Sequence, residues 1–354
     1  MQLLLRLYLL LLNLILSCCS GPTALSQNCI SHLQQIRNLK CDFFCQYANL
    51  SSSTESKIKA HAASFSPFSN VKIYLMFIGF ARSGHSLIGS VIDAAPNAII
   101  ANEYHAWQVF RDRRTNHGKF YPSRTQLLQD LVINSDRCNR AGRCQWYNYS
   151  ITGLWQGRIA SGSSLDIIGD KKGSSSLEIL KKFGGKNGRF GLKTFMKFIG
   201  IKFAFISVFR NPLNIIATQA LRENALNKTD ALNNQVSDNI INQVLSDYSV
   251  LLAEKSKYPS STWHIVKAED FSLNTREELE KLCVFLNLEC PELWFKKVTD
   301  FTSHGVSNSW LKVKWTGVQL SKVTEFINTR LAAYYTVTTN LTVQWAKCYR
   351  KKNV

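Results

Sequence analysis

Acidic side chains are scarce in this chain. Its 354 residues carry 24 Asp and Glu against 43 Lys and Arg, a formal net charge of +19 at pH 7. Such an excess argues for anionic ligands: a nucleotide, a sulfated or carboxylated glycan, an acidic peptide or nucleic acid. Charge alone does not choose among them. Internal repeats are missing too, which sets repeat architectures aside. The cysteine spacings match none of the usual zinc fingers, which argues against a structural zinc site. A glycine-bounded loop at residues 79–86 has no lysine where ATP- and GTP-hydrolysing P-loops carry one, and no strand-end aspartate suited to magnesium is evident. A kinase or nucleotide hydrolase would need both.

The chain is organised around residues 71–103. Residues 73–78 form a continuous apolar run closed by Gly79, the pattern of a strand buried on both faces. Residues 80–84 read as a loop. Residues 85–95 place Leu87, Ile88, Val91 and Ile92 at helical spacing. Strand, glycine-bounded loop and helix aim backbone N–H groups and a helix N-terminus at an anion. The loop, Gly79-Phe80-Ala81-Arg82-Ser83-Gly84-His85-Ser86, is G-x-x-x-x-G followed by His-Ser. It suits a phosphate-like group rather than a magnesium triphosphate. A plain glycine-rich turn of an α/β fold is the alternative.

Length and the 45% hydrophobic content fit one large α/β domain with a leader and short appendages. Residues 1–26 read as a signal peptide or, uncleaved, a signal anchor: an early Arg6 precedes a mostly apolar run shorter than the roughly 20 residues of a membrane span. Both readings send the chain into the secretory pathway, to the Golgi lumen or outside the cell. Of ten cysteines, Cys18 and Cys19 fall in the leader, which leaves an even eight for an oxidising compartment. Spacing favours the local pairs Cys138/Cys144 and Cys283/Cys290; Cys29, Cys41, Cys45 and Cys348 have no assigned connectivity. Asn49, Asn148, Asn227 and Asn340 lie in glycosylation triplets.

Residues 27–69 read as a cysteine-containing stem, and residues 70–354 as the domain. Further strands are expected at 98–101, 165–169, 202–209 and 263–266, and helices from 174, from 212, at 236–252, at 275–286 and at 320–332. Thr275 and Glu278 have the spacing of a capping box. Residues 222–234 are polar and read as an exposed connection. Residues 107–158 are basic and aromatic with little periodicity, and read as an acceptor-side insertion or an ordinary surface segment. Strands alternating with helices imply a mostly parallel sheet covered on both faces.

These pieces resemble the sulfotransferase superfamily, P-loop-like enzymes that use 3′-phosphoadenosine 5′-phosphosulfate (PAPS), across roughly residues 71–332. Arg82-Ser83-Gly84-His85-Ser86 is similar to the family's 5′-phosphosulfate loop. Phe209-Arg210-Asn211-Pro212 with Thr218 is similar to its 3′-phosphate motif, and residues 266–271 with 282–288 resemble a third family segment. Ile92-Asp93-Ala94-Ala95-Pro96 leading to Glu103 resembles the continuation found in Golgi tyrosylprotein and some carbohydrate sulfotransferases. Two departures stand out: His85 replaces the usual Thr or Ser, and Ala95 replaces a usual His.

The resemblance implies a P-loop NTPase-like three-layer fold and sulfuryl transfer from PAPS, leaving PAP, to the hydroxyl of a glycan. A tyrosylprotein-type enzyme and a secreted glycan- or anion-binding protein without catalysis are the alternatives. Neither a metal nor nucleic acid is expected as a partner, while the N-terminal segment can tether the chain to a membrane. The resemblance makes Glu103 the general base, with Arg82 and Lys171 offsetting charge on the sulfuryl and leaving-group oxygens. Arg82, Ser83, Gly84, His85 and Ser86 would hold the 5′-phosphosulfate, and Arg210 with Thr218 the 3′-phosphate. His105, on Glu103's face if the strand continues, is the second candidate base. Lys172 can replace Lys171. Lys312 and Lys314 reach the nucleotide or form a solvated strand face.

Overall fold

The computed structural model describes residues 68–115, 123–140, 150–183, 191–226, 234–302 and 308–335. These belong to the unit Pro67–Val354. The leader, nearly all of the stem, Cys29, Cys41, Cys45, Cys144, Cys348 and the four glycosylation asparagines lie outside the described residues.

Five strands, β1 (Ile73–Phe77), β2 (Ala98–Asn102), β3 (Ile167–Lys171), β4 (Lys202–Phe209) and β5 (Trp263–Lys267), form one sheet in the order β2-β3-β1-β4-β5. Every pairing is parallel. In chain order the first helices are α1 (His85–Asp93), α2 (Ala106–Thr115), α3 (Arg124–Arg140), α4 (Gly173–Phe183), α5 (Leu192–Ile199) and α6 (Pro212–Leu226). They are followed by α7 (Asp238–Lys255), α8 (Ala268–Leu273), α9 (Thr275–Leu286), α10 (Glu292–Thr302), a 3-10 turn at Ser309–Lys312, and α11 (Gly317–Arg330).

The apolar runs are buried on both faces, as a parallel sheet requires. Successive β1 side chains point to opposite sides. Tyr74 and Met76 enter a core shared with α2 to α7 and α11. Leu75 and Phe77 enter a second core shared with α1, α8, α9 and α10. The result is the expected α/β, P-loop NTPase-like three-layer fold. Registry matters for the site: Asn102 pairs with Lys171, so the ends of β2 and β3 lie level.

Several expectations change. Residues 107–158 hold all of α3 and all but the first residue of α2, which their weak periodicity hides. Among the described residues of α3, Leu127, Leu128 and Leu131 are its buried apolar side chains. The exposed connection expected from residue 222 is instead helical as far as Leu226, with Arg222 and Glu223 on an exposed face. Thr275 makes no capping box. The chain passes from α8 into α9 through Asn274, and the Thr275 hydroxyl donates to the Phe271 carbonyl at 2.8 Å. A capping box forms at Thr316 and Gln319, whose reciprocal bonds measure 3.2 and 3.0 Å. Cys283 and Cys290 form the expected disulfide, and Cys138 is disulfide-bonded.

Candidate functional site

The loop after β1 is tied to the end of β3: the Gly79 N–H donates to the Gly173 carbonyl at 3.1 Å. Arg82 (φ 67°) and Gly84 (φ 98°) adopt left-handed backbone that turns the chain into α1. Glycine takes this conformation freely, whereas arginine does so at a cost. Glu103 (φ 59°) and His105 (φ 66°) share the conformation. Three of the five described non-glycine residues with positive φ thus belong to two loops at one end of the sheet. Strain of this kind concentrates where geometry serves a ligand.

The positive φ at Glu103 ends β2, so the strand does not continue to His105 and the two do not share a strand face. His105 turns aside, with Nδ1 3.0 Å from Gln108 Oε1. Asp170 holds the turn: its carboxylate accepts from the Tyr104 N–H at 3.2 Å and the Ala106 N–H at 2.7 Å. Burial, reinforced by Glu103, pushes the Asp170 carboxyl up to about 6.

Glu103 meets three basic side chains. It is ion-paired with both Lys171 and Lys172, and Oε1 lies 3.8 Å from His85 Nε2. Burial alone would raise its carboxyl, but His85, Lys171 and Lys172 outweigh burial and hold it well below the ordinary glutamate range. Lys171 is 1% exposed and also donates to Ser86 Oγ at 2.8 Å. Burial lowers its ammonium, against the pull of Glu103. Its aliphatic stem fits because residue 89 of α1 is glycine: a Cβ there would lie 2.7 Å from Lys171 Cγ. Ser83 is buried, with Oγ donating to the Phe80 carbonyl at 3.0 Å. Burial holds the His85 imidazole below its usual value, helped by Lys171.

A second cationic seat lies at the end of β4. Arg210 donates to the Arg82 carbonyl at 2.8 Å and reaches Thr218 Oγ1 at 3.5 Å and Ser309 Oγ at 3.4 Å. The loop between Arg210 and α6 therefore folds back as the spacing requires. The Asn211 N–H donates to Glu269 Oε1 at 2.9 Å, which places that carboxylate behind the turn. Arg82 is thus common ground: its carbonyl holds Arg210, and the residue lines a cleft of about 340 Å³. Gly79, Ser174, Glu178, Gln219, Arg222 and Asp247 also line that cleft, and none of its described lining residues is aromatic.

No family model and no curated protein matches the sequence. Solved structures do. The chain is similar to the sulfotransferase domain from the Synechococcus PCC 7002 olefin synthase at 13% identity and a TM-score of 0.45, over 75% of this chain and 96% of that one. It is similar to mouse sulfotransferase SULT7A1 complexed with PAP at 12% identity and a TM-score of 0.42, covering 77% and 88% of the two chains. Sulfotransferase STF9 from Mycobacterium avium follows at 9% identity and a TM-score of 0.41, covering 77% and 81%. All three are sulfotransferases.

The structure brings Glu103, Lys171, His85 and Ser86 together, and separately Arg210, Thr218 and the Arg82 backbone. Lys172 joins Lys171 rather than replacing it. Lys312 and Lys314 are exposed. Sequence reasoning passed over Asp170 and Ser309. An acid directly before a strand-end lysine signals the first; nothing local signals the second, which lies 99 residues from Arg210.

Proposed function

We propose that this chain is a sulfotransferase of the secretory pathway that moves a sulfuryl group from PAPS to a hydroxyl of a glycan. The observation that carries this reading is the Arg210 bridge. One side chain spans Thr218, Ser309 and the Arg82 carbonyl, which joins a cationic seat to the loop that meets Lys171 through Ser86. Two linked anion seats suit a nucleotide phosphorylated at both 3′ and 5′ positions. The side chains fit it: buried or half-buried cations and hydroxyls, which make strong charge-assisted contacts with phosphate oxygens.

PAPS, when bound, supplies the sulfuryl group. Arg82 and Lys171 offset negative charge on the transferring and leaving oxygens, the backbone amides of residues 83–86 hold the 5′-phosphosulfate, and Glu103 accepts the hydroxyl proton. Lys172 keeps the Glu103 carboxylate oriented. The cleft beside Arg82 supports a glycan acceptor. Carboxylates, amides and Arg222 offer many hydrogen-bond partners to sugar hydroxyls, whereas Glu178 and Glu223 repel an acidic tyrosine peptide and no ring among the described lining residues seats its phenol. The leader, the even cysteine count and the Cys283–Cys290 disulfide support the secretory setting.

Gly89→Ala is expected to leave the fold intact, since alanine favours helix, but to push the Lys171 stem aside. Transfer should fall about tenfold to a hundredfold, the scale of a misplaced catalytic group. Circular dichroism and initial rates separate the two effects. The overall reading is tested by offering PAPS with radiolabelled sulfate together with a panel of glycans and tyrosine peptides. Label on a glycan is expected. Label confined to peptides overturns the acceptor assignment, and PAP binding without transfer to any acceptor favours a binding protein.

A further inference from the structure

This inference rests on the sulfuryl transfer proposed above. A serine hydroxyl has one hydrogen to give. Ser83 Oγ lies 3.0 Å from the Phe80 carbonyl, which can only accept, and 3.1 Å from His85 Nδ1. The Ser83 hydrogen therefore goes to Phe80, and Nδ1 carries the ring hydrogen and donates to Ser83. His85 Nε2 is then left with its lone pair, and it faces Glu103 Oε1 at 3.8 Å. While the ring is neutral no hydrogen lies between Nε2 and Oε1; once it is protonated, Nε2–H faces the carboxylate, and that contact is what draws the Glu103 carboxyl down and the His85 imidazole up. Lys171 holds the same Oε1 and Lys172 the other oxygen, Oε2, which fixes the carboxylate in this arrangement. A single added proton would turn a repulsive contact into a charge-assisted hydrogen bond.

We propose that His85 Nε2 and Glu103 Oε1 together form a one-proton site that holds the hydrogen released by the acceptor hydroxyl. As the acceptor oxygen bonds to sulfur, the bond from sulfur to the bridging phosphate oxygen breaks and its electron pair leaves with PAP. The hydroxyl proton passes to Glu103 and comes to rest shared with His85, then returns to solvent.

Glu103 alone is a weak base, because His85, Lys171 and Lys172 together hold its carboxyl well below the ordinary glutamate range. Proton transfer is most efficient to a group whose affinity lies near the working pH. An imidazole, even one that burial holds below its usual value, lies nearer that condition than this carboxylate does, and a threonine or serine at residue 85 offers no such group. The charged groups that bear on the ring are few: Glu103 favours its protonation and Lys171 opposes it. Asp170 is engaged with the Tyr104 and Ala106 amides.

The test begins without substrate. The His85 Cε1–H resonance, assigned by its loss in His85→Gln, is followed against pH in wild type and in Glu103→Gln. Its midpoint is expected below pH 6.5 in wild type and about tenfold lower in proton affinity once the carboxylate is gone. The second readout is the pH dependence of kcat/KM. Wild type should lose activity on the acid side as the shared site fills. His85→Gln and His85→Thr should run at least tenfold slower at neutral pH and carry that limb to lower pH, with PAP affinity changed less than about threefold. A His85 midpoint indifferent to Glu103→Gln, or a His85 variant keeping both rate and acid limb, overturns the proposal. Wild type that binds no PAP would instead sink the sulfotransferase reading itself.

Discussion

Glu103→Gln is expected to lower sulfuryl transfer by about two to four powers of ten, the usual worth of a positioned general base. Glutamine preserves size but cannot take up a proton. It also removes the anion that Lys171 and Lys172 share. Lys171 is buried, so an uncompensated ammonium is costly, and the variant should melt at a lower temperature than wild type. PAP should restore much of that loss, because its phosphate supplies the missing negative charge and stabilises by mass action. The PAP-induced rise in melting temperature should therefore exceed that of wild type. The pH dependence has a definite sign. A carboxyl lowered from 4.5 contributes stability that is present above that value and is lost as pH falls through its folded value. The stability gap between wild type and variant should accordingly close in acid. A variant with full activity would remove Glu103 from the chemistry.

Arg210→Ala is expected to weaken PAP binding by about ten- to a hundredfold, the range for hydrogen bonds to a charged group. Adenosine 5′-phosphosulfate, which has no 3′-phosphate, should lose far less. The contrast matters because Arg210 also supports the Arg82 carbonyl, and a general loosening of the loop would weaken both ligands alike. Calorimetry with the two nucleotides separates the cases. Arg210→Lys should recover only part of the affinity, since a lysine cannot reach Arg82, Thr218 and Ser309 at once.

The parts of the fold that were readable in the sequence are those whose burial is complete. Residues 202–209 are apolar after Lys202 except for the buried Ser207 and lie between Gly200 and Arg210, and β4 spans those residues. The loop after β1 was equally plain, because glycine marks both its ends. Helices whose buried stripe is thin were missed: α3 buries few leucines along 17 residues, too few to show a period. The Glu103 and His105 backbone was also hidden, since neither left-handed position is itself a glycine or an asparagine. Contacts set by topology are invisible in a linear reading. The level ends of β2 and β3 put both Lys171 and Lys172 on Glu103, and only the packing of the 3-10 turn against α6 brings Ser309 to Arg210.

A transfer assay depends on having the right acceptor in the tube, whereas nucleotide binding does not. The most direct test is therefore calorimetric titration of the wild-type protein with PAP and with ATP, each with and without magnesium. Joined anion seats at the loop and at Arg210 predict PAP binding that is indifferent to magnesium and at least about a hundredfold tighter than that of ATP. Magnesium-dependent binding of ATP, at an affinity equal to or above that of PAP, would contradict the account.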